Sequence, residues 1–390
     1  MRLKKLAWVL TPALLLTACS SSVPLPAWPD KSATSTATKP AQPVAPASTK
    51  AAAVPAAPVV QAAPPRAAAV ASPVVTTPVL AETALPYSAA VAARFPEPAV
   101  RYATPGLQDG RTHFSTNTEV RQWLQAVADR VGNGSRAAIL NLGTSQNGEP
   151  LQALVLTRAP ATDAAALVAS ERPTVLLVGQ QHGDEPAGAE ALLVLARELG
   201  TGLLEPLLER INVVIVPRAN PDGALSHKRV TSNGVDMNRD HLLLATPEAR
   251  ALAQLARDYR PAVVIDAHEY TVVGRFLEKF GAVQRFDALL QYTTTANTPE
   301  FITKAAEEWY RRPVVAALTG QQLTSEWYYT TSTNPEDLWV SMGGTQPDTG
   351  RNVYGLRNTI SLLVETRGVA STATTSSAGC TPMSPPSTRC

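Results

Sequence analysis

Four short stretches of the chain, 174–178, 211–216, 263–265 and 360–364, are apolar almost without interruption. A strand with one wet face alternates apolar and polar residues, so unbroken runs predict strands buried on both faces, as in sheets covered by helices. The stretches between them include 187–199 and 247–259, which read as helices. Upstream, Val120, Trp123, Leu124, Val127 and Val131 recur at helical spacing within 118–131. The segments "AAILNLGTS" and "LQALVLTR" flank Asn147-Gly148, a dipeptide suited to the positive φ of a tight hairpin turn. The pattern as a whole predicts an α/β fold with a mixed, mainly parallel central sheet and helices on both faces.

Composition changes this picture mainly at the ends. Of the 33 prolines, 16 lie in the first 100 residues, and from 20 to about 86 the chain is Ala, Pro, Val, Ser and Thr with few charges. Such a segment cannot bury a core and reads as an extended tether. Before it, Arg2, Lys4 and Lys5 precede an apolar run over 6–16, too short to span a bilayer, which reads as an export signal. Leu16-Thr17-Ala18-Cys19 resembles a bacterial lipobox. That resemblance implies cleavage before Cys19, acylation of the new N-terminus and, with Ser20 following, the outer membrane facing the periplasm. Residues 1–18 are therefore expected to be a lipoprotein signal peptide and 19–86 a lipidated tether, with the folded domain over 87–370 and a Ser/Thr/Pro-rich tail over 371–390. The remaining cysteines, Cys380 and Cys390, both lie in that tail, where an oxidising compartment would favour a disulfide between them. A formal charge of +2 gives no reason to expect nucleic-acid binding. A monomer is expected.

In sheets of this class ligands collect beyond the carboxyl ends of the strands, so polar residues following each apolar run are site candidates. After 174–178 comes Gln180-Gln181-His182-Gly183-Asp184-Glu185, and after 263–265 comes Asp266-Ala267-His268-Glu269. Two imidazoles and a carboxylate from adjacent strand ends can hold a tetrahedral zinc with one position left open. Two of the five histidines in the chain sit where this rule places ligands. His113, His227 and His241 are left for the surface or for support. No Gly-x-Ser-x-Gly elbow occurs and no cysteine lies in the predicted domain, so serine or cysteine catalysis has no nucleophile signal.

"HGDE" at 182–185, "NPDG" at 220–223, "NGVDMNRD" at 233–240, "DAHEY" at 266–270 and "LLVETRG" at 362–368 together resemble the zinc carboxypeptidase family in order and spacing. The resemblance covers about 138–368. It implies a single Zn²⁺ on His182, Glu185 and His268, with Glu365 as the general base. It further implies that Arg239 with Asn238 grips a substrate's terminal carboxylate and that Arg229 polarises the scissile carbonyl. Tyr354 is the nearest tyrosine before Glu365 and a candidate to close over the substrate. Arg351 and Arg357 are candidates to line a pocket for an acidic end group, and Asp266 to accept a hydrogen bond from His268. The implied function is removal of C-terminal residues from peptides or peptidoglycan stem peptides. Two alternatives stand beside it: a zinc amidase or deacylase resembling succinylglutamate desuccinylase and aspartoacylase, and an inactive envelope binding protein on the same fold.

Overall fold

The structure is a computed structural model and describes residues 102–368, apart from 103, 109, 110, 112, 133 and 273. The chain divides into two units, Met1–Pro78 and Val79–Cys390, and every described residue belongs to the second. The expected signal peptide, Cys19, the tether and the tail with Cys380 and Cys390 lie outside the described residues, as does the start of the domain expected at 87.

The first helix, α1 (Asn117–Ala128), begins at a reciprocal cap: Thr116 accepts from the Glu119 backbone N–H, and the Glu119 carboxylate accepts from that of Thr116. Arg111 pairs with the same carboxylate at 2.6 Å and holds its pKa down to about 2. Two strands follow, β1 (Arg136–Thr144) and β2 (Pro150–Thr157), as an antiparallel hairpin. Gly148, at φ +87°, supplies the left-handed residue that the turn needs. The short α2 (Ala164–Ala169) leads to β3 (Thr174–Gly179), α3 (Ala187–Thr201), β4 (Asn212–Val216), α4 (Pro221–Ser226), α5 (Pro247–Tyr259) and β5 (Val263–Thr271). Then come α6 (Arg275–Phe280), β6 (Ala288–Tyr292), α7 (Glu300–Ala305) continuing through a π-helical turn into α8 (Arg312–Gly320), β7 (Ser325–Trp327), α9 (Gly350–Leu356) and β8 (Ile360–Gly368).

Among the described residues eight strands form one mixed sheet in the order β1-β2-β4-β3-β5-β8-β6-β7. The central run β4-β3-β5-β8 is parallel throughout. Alternate residues of the same strand enter different cores. Ala153, Val155, Leu176, Val178, Val214 and Val216 pack with Leu252, Leu255 and Tyr259 of α5 on one face. Leu154, Leu156, Leu177, Val213 and Ile215 pack with Val120 and Leu124 of α1 and Leu192, Leu193 and Leu199 of α3 on the other. Unbroken apolar runs are what such two-sided burial demands, and each buried Leu or Val contributes about 1.5–3 kcal/mol.

Two features depart from the sequence expectations. Strands β5 and β8 run on past their apolar halves, so His268 and Glu365 lie inside strands rather than in loops after them. Strand β6 and the edge strand β7 had no clear signal, β7 being three residues long. The chain moves from β3 to β4 in one direction and crosses back to β5 on the other side of β3, so the carboxyl ends of β3 and β5 flank a switch in strand order, where a crevice opens.

Candidate metal centre and active site

The loop after β3 turns sharply at Gln180, which adopts φ +50°. Its side chain spans the turn, donating to Gly183 O at 2.9 Å and accepting from the buried Arg218 at 2.7 Å. Gly183 makes the next step possible. A Cβ there would fall 1.9 Å from the Gly223 carbonyl carbon, so the loop carrying His182 and Glu185 rests directly on the backbone of α4. Asn220 caps α4 by accepting from Gly223 N–H at 2.9 Å, and its amide reaches the carbonyls of Gln181 and Arg229 at 3.2 and 3.4 Å. Asp222 is held by Ser145 Oγ at 2.7 Å. The "NPDG" motif is thus a scaffold that sets the backbone on either side of the site.

On this frame His182 Nδ1 and His268 Nδ1 lie 3.1 Å apart, and each is 2.7 Å from a different oxygen of Glu185. All three side chains are buried. The outer nitrogen of each ring meets a carboxylate: His182 Nε2 is 3.1 Å from Asp236 Oδ1, and His268 Nε2 is 3.1 Å from Asp266 Oδ2. Asp266 also accepts from Gln181 Nε2 at 2.7–2.8 Å, and Gln181 Oε1 faces His241 Nε2 at 2.7 Å. Hydrogen bonds of this kind fix the ring orientation and leave Nδ1 pointing inward.

Burial disfavours every charge in this cluster, yet mutual pairing overrides it. Burial alone would raise the Glu185 pKa, but the charges and hydrogen bonds of the two histidines drive it far below the carboxylate range. Burial would lower the histidines, but Glu185, Asp236 and Asp266 raise both, His268 most strongly. Among the described residues Glu365 has no such partner. Its Cα is in register with that of His268 across the β5–β8 ladder, and desolvation pushes its carboxyl up to about 7 against the pull of His268, His182 and Arg229.

Arg229 reaches the edge of the cluster. Its Nη1 is 3.2 Å from His182 Nδ1 and 3.3 Å from Glu185 Oε1, its Nε donates to Asp236 at 3.0 Å, and the side chain is 44% exposed. Asn238 and Arg239 lie on a single turn of 3-10 helix, Met237–Arg239, started by the Asp236 side chain. The Asn238 amide oxygen is spent, Oδ1 accepting from Gly350 N–H at 2.8 Å, and Nδ2 sits 3.2 Å from His268 Nε2. Arg239 is exposed, and its Nη1 donates to the Asn238 carbonyl at 2.7 Å.

Two expectations need correction, and two residues join the site. Tyr354 is 1% exposed and packs in the core with its ring edge on His241, so it has no free face to close over a substrate. Arg357 points away, donating to Ala253 O on α5 at 3.4 Å, and does not line the site. Tyr328, which sequence spacing did not single out, lies close enough to Glu365, Arg351 and Arg239 for all three charges to act on its hydroxyl. It follows β7, and only the placement of that edge strand could have revealed it. Asp236 was equally hidden, although its position two residues before Asn238 in the "DMNR" turn is a signal in hindsight.

The family model for zinc carboxypeptidases matches residues 120–374. The chain belongs to the zinc carboxypeptidase family. Among its relatives, "Carboxypeptidase 2" of Trichophyton rubrum is 32% identical over 203 residues, which cover 51% of this chain and 38% of that protein. "Carboxypeptidase SOL1" of Arabidopsis thaliana is 30% identical over 188 residues, covering 44% and 36%. The match therefore spans well under half the length of these curated relatives. Among solved structures, the carboxypeptidase A of Helicoverpa armigera superposes with a TM-score of 0.48 at 16% identity, covering 73% of this chain and 70% of that one.

The metal that the family name implies fits the residues present. Zinc takes its donors at about 2.0–2.2 Å, so tetrahedral donors lie roughly 3.3 Å apart. Two inward ring nitrogens and a carboxylate, all within 4.8 Å of one another and backed by Asp236 and Asp266, form a donor set of that size and chemistry.

Proposed function

We propose that the chain is a zinc-dependent metallocarboxypeptidase that hydrolyses the C-terminal bond of peptides, with peptidoglycan stem peptides among its substrates. The observation that carries this reading is the meeting of the His182–Glu185–His268 donor set with Glu365 on the neighbouring strand, a carboxyl group pushed up to about 7. When bound, zinc activates a water and polarises a carbonyl. Glu365 takes the water's proton and returns it to the leaving amine, a task best done by a group whose pKa lies near the working pH. Arg229, with one side of its guanidinium facing the cluster, donates to the carbonyl oxygen as negative charge develops there. Arg239 pairs with the terminal carboxylate of the peptide, where its planar fork fixes orientation as well as charge.

Export and lipidation belong to the same reading. The short apolar run over 6–16 and the Leu16-Thr17-Ala18-Cys19 sequence support an outer-membrane lipoprotein facing the periplasm, where peptides and cell-wall stems are at hand.

The test is release of the last residue from matched peptides with a free or amidated C-terminus by the wild type, Glu365→Gln and Arg239→Ala. The reading expects cleavage of the free form alone, loss of turnover in Glu365→Gln and a raised KM in Arg239→Ala. Equal cleavage of amidated peptides or of acyl amino acids, untouched by Arg239→Ala, would favour an amidase.

A further inference from the structure

Arg351 stands out among the buried charges. It sits on α9 at 5% exposure, yet among the described residues it makes no ion pair within 4.0 Å, and its buried Nε has no hydrogen-bond partner. Its guanidinium is held in place all the same. Nη2 donates to Gly344 O at 2.9 Å, and the guanidinium carbon stands 5.4 Å from the centre of the Tyr328 ring. Gly343, at φ +82°, closes the seat: a Cβ there would lie 2.6 Å from Nη2 and 3.0 Å from Tyr328 Cε1. A loop and an aromatic ring thus position a cation and leave its charge unmatched. Holding an unpaired charge out of water is costly, and a site built to do so gains from a ligand that brings the opposite charge.

The charges around it say which ligand. The start of α9 carries it to the site: Gly350, the residue before it, donates its N–H to Asn238 Oδ1 at 2.8 Å, and a Cβ on Gly350 would lie 3.1 Å from Asp266 Oδ2. Glu365 and Arg239 both act on Arg351 electrostatically. Arg239 also lacks a carboxylate partner among the described residues, and the two guanidiniums repel each other. A peptide end with one carboxylate satisfies one of them. A C-terminal aspartate or glutamate carries two and satisfies both.

We propose that Arg351 determines specificity, seated by Gly343, Gly344 and Tyr328 to pair with the side-chain carboxylate of a C-terminal glutamate or aspartate. This rests on the carboxypeptidase reading for the position of the terminal residue. Hydrogen bonds to charged groups favour the charged end over its neutral isostere roughly ten- to hundredfold.

The experiment measures kcat/KM of the full zinc-loaded chain on peptides identical but for a final Glu, Gln, Leu or Lys. The wild type is expected to prefer Glu over Gln by at least about tenfold, Arg351→Met to bring that ratio within about twofold of one, and Arg351→Lys to keep part of it. A wild type that cleaves the Gln or Leu peptide as well as the Glu peptide overturns the proposal. So does a folded Arg351→Met chain with an unchanged ratio, which would leave Arg351 as a brace for its loop; should that variant fail to fold, an unchanged ratio in Arg351→Lys decides in the same way. If no peptide is cleaved, the carboxypeptidase reading fails separately. Calorimetric binding of N-acetyl-Ala-Ala-Glu and N-acetyl-Ala-Ala-Gln to the Glu365→Gln chain then decides the inference, equal affinities overturning it.

Discussion

Replacing Asp266 by asparagine isolates what the carboxylates behind the metal ligands do. Asp266 is 1% exposed and faces donors on both oxygens: Gln181 Nε2 at 2.7–2.8 Å, and His268 Nε2 at 3.1 Å from Oδ2. The substitution keeps the shape but turns one oxygen into an NH₂ group. Whichever way the amide turns, two donors then confront each other, at a cost of about 1–3 kcal/mol for a buried unsatisfied group. The charge that holds the His268 ring also disappears. Loss of such a partner lowers metal affinity about 10- to 100-fold, or roughly 1.4–2.7 kcal/mol. Asp236→Asn should cost less, because Asp236 is 23% exposed and water can take over part of its role. Competition against a chelator of known zinc affinity measures both variants, with circular dichroism to confirm that each is folded. Zinc affinity within about twofold of wild type in Asp266→Asn, or a larger loss in Asp236→Asn, would refute the reasoning.

Gly183→Ala would place a methyl carbon 1.9 Å from the Gly223 carbonyl carbon, so two backbone segments must part. Overpacking of that severity costs about 3 kcal/mol, a fall in Tm of roughly 6–12 °C in a domain of this size; a fall of under 2 °C in differential scanning calorimetry would contradict the packing described. The zinc-free chain should gain stability as pH falls from about 8 towards 5. His182 and His268 are raised, and desolvation pushes Glu365 to about 7 and Glu269 to about 8, so all four bind protons more tightly folded than unfolded. His241 opposes this below about pH 6.5, since burial lowers it to about 4 and the unfolded chain then takes up the proton. Urea unfolding at each pH checks the sign, and adding zinc should reverse it, because the ligands must lose their protons to bind metal. Cys19→Ser should abolish incorporation of labelled palmitate and release the protein from the membrane fraction; unchanged labelling would remove the lipoprotein reading.

The sequence carried the site's inner residues further than its surroundings, and the reason is physical. The unbroken runs of β3, β4, β5 and β8 were legible because each strand is buried on both faces, and the order of their ends predicted where His182 and His268 would meet. What was not legible depends on distant parts of the chain. Asp266 was marked by its place two residues before His268, but its links to Gln181 and on to His241, across 85 and 60 positions, have no local pattern. Tyr354 sits at a short spacing before Glu365, but α9 turns its ring into the core. Glu365 followed an apolar run and was expected at a strand end; the β5–β8 ladder continues far enough to hold it in register with His268.

The central claim is that His182, Glu185 and His268 together hold one zinc ion. The most direct measurement is the zinc content of the purified domain, by mass spectrometry of the metal, in the wild type and in His268→Ala. The account predicts about one zinc per chain in the first and almost none in the second. A wild-type chain that stays empty in zinc-containing buffer, or a His268→Ala chain that keeps a full equivalent, would contradict it.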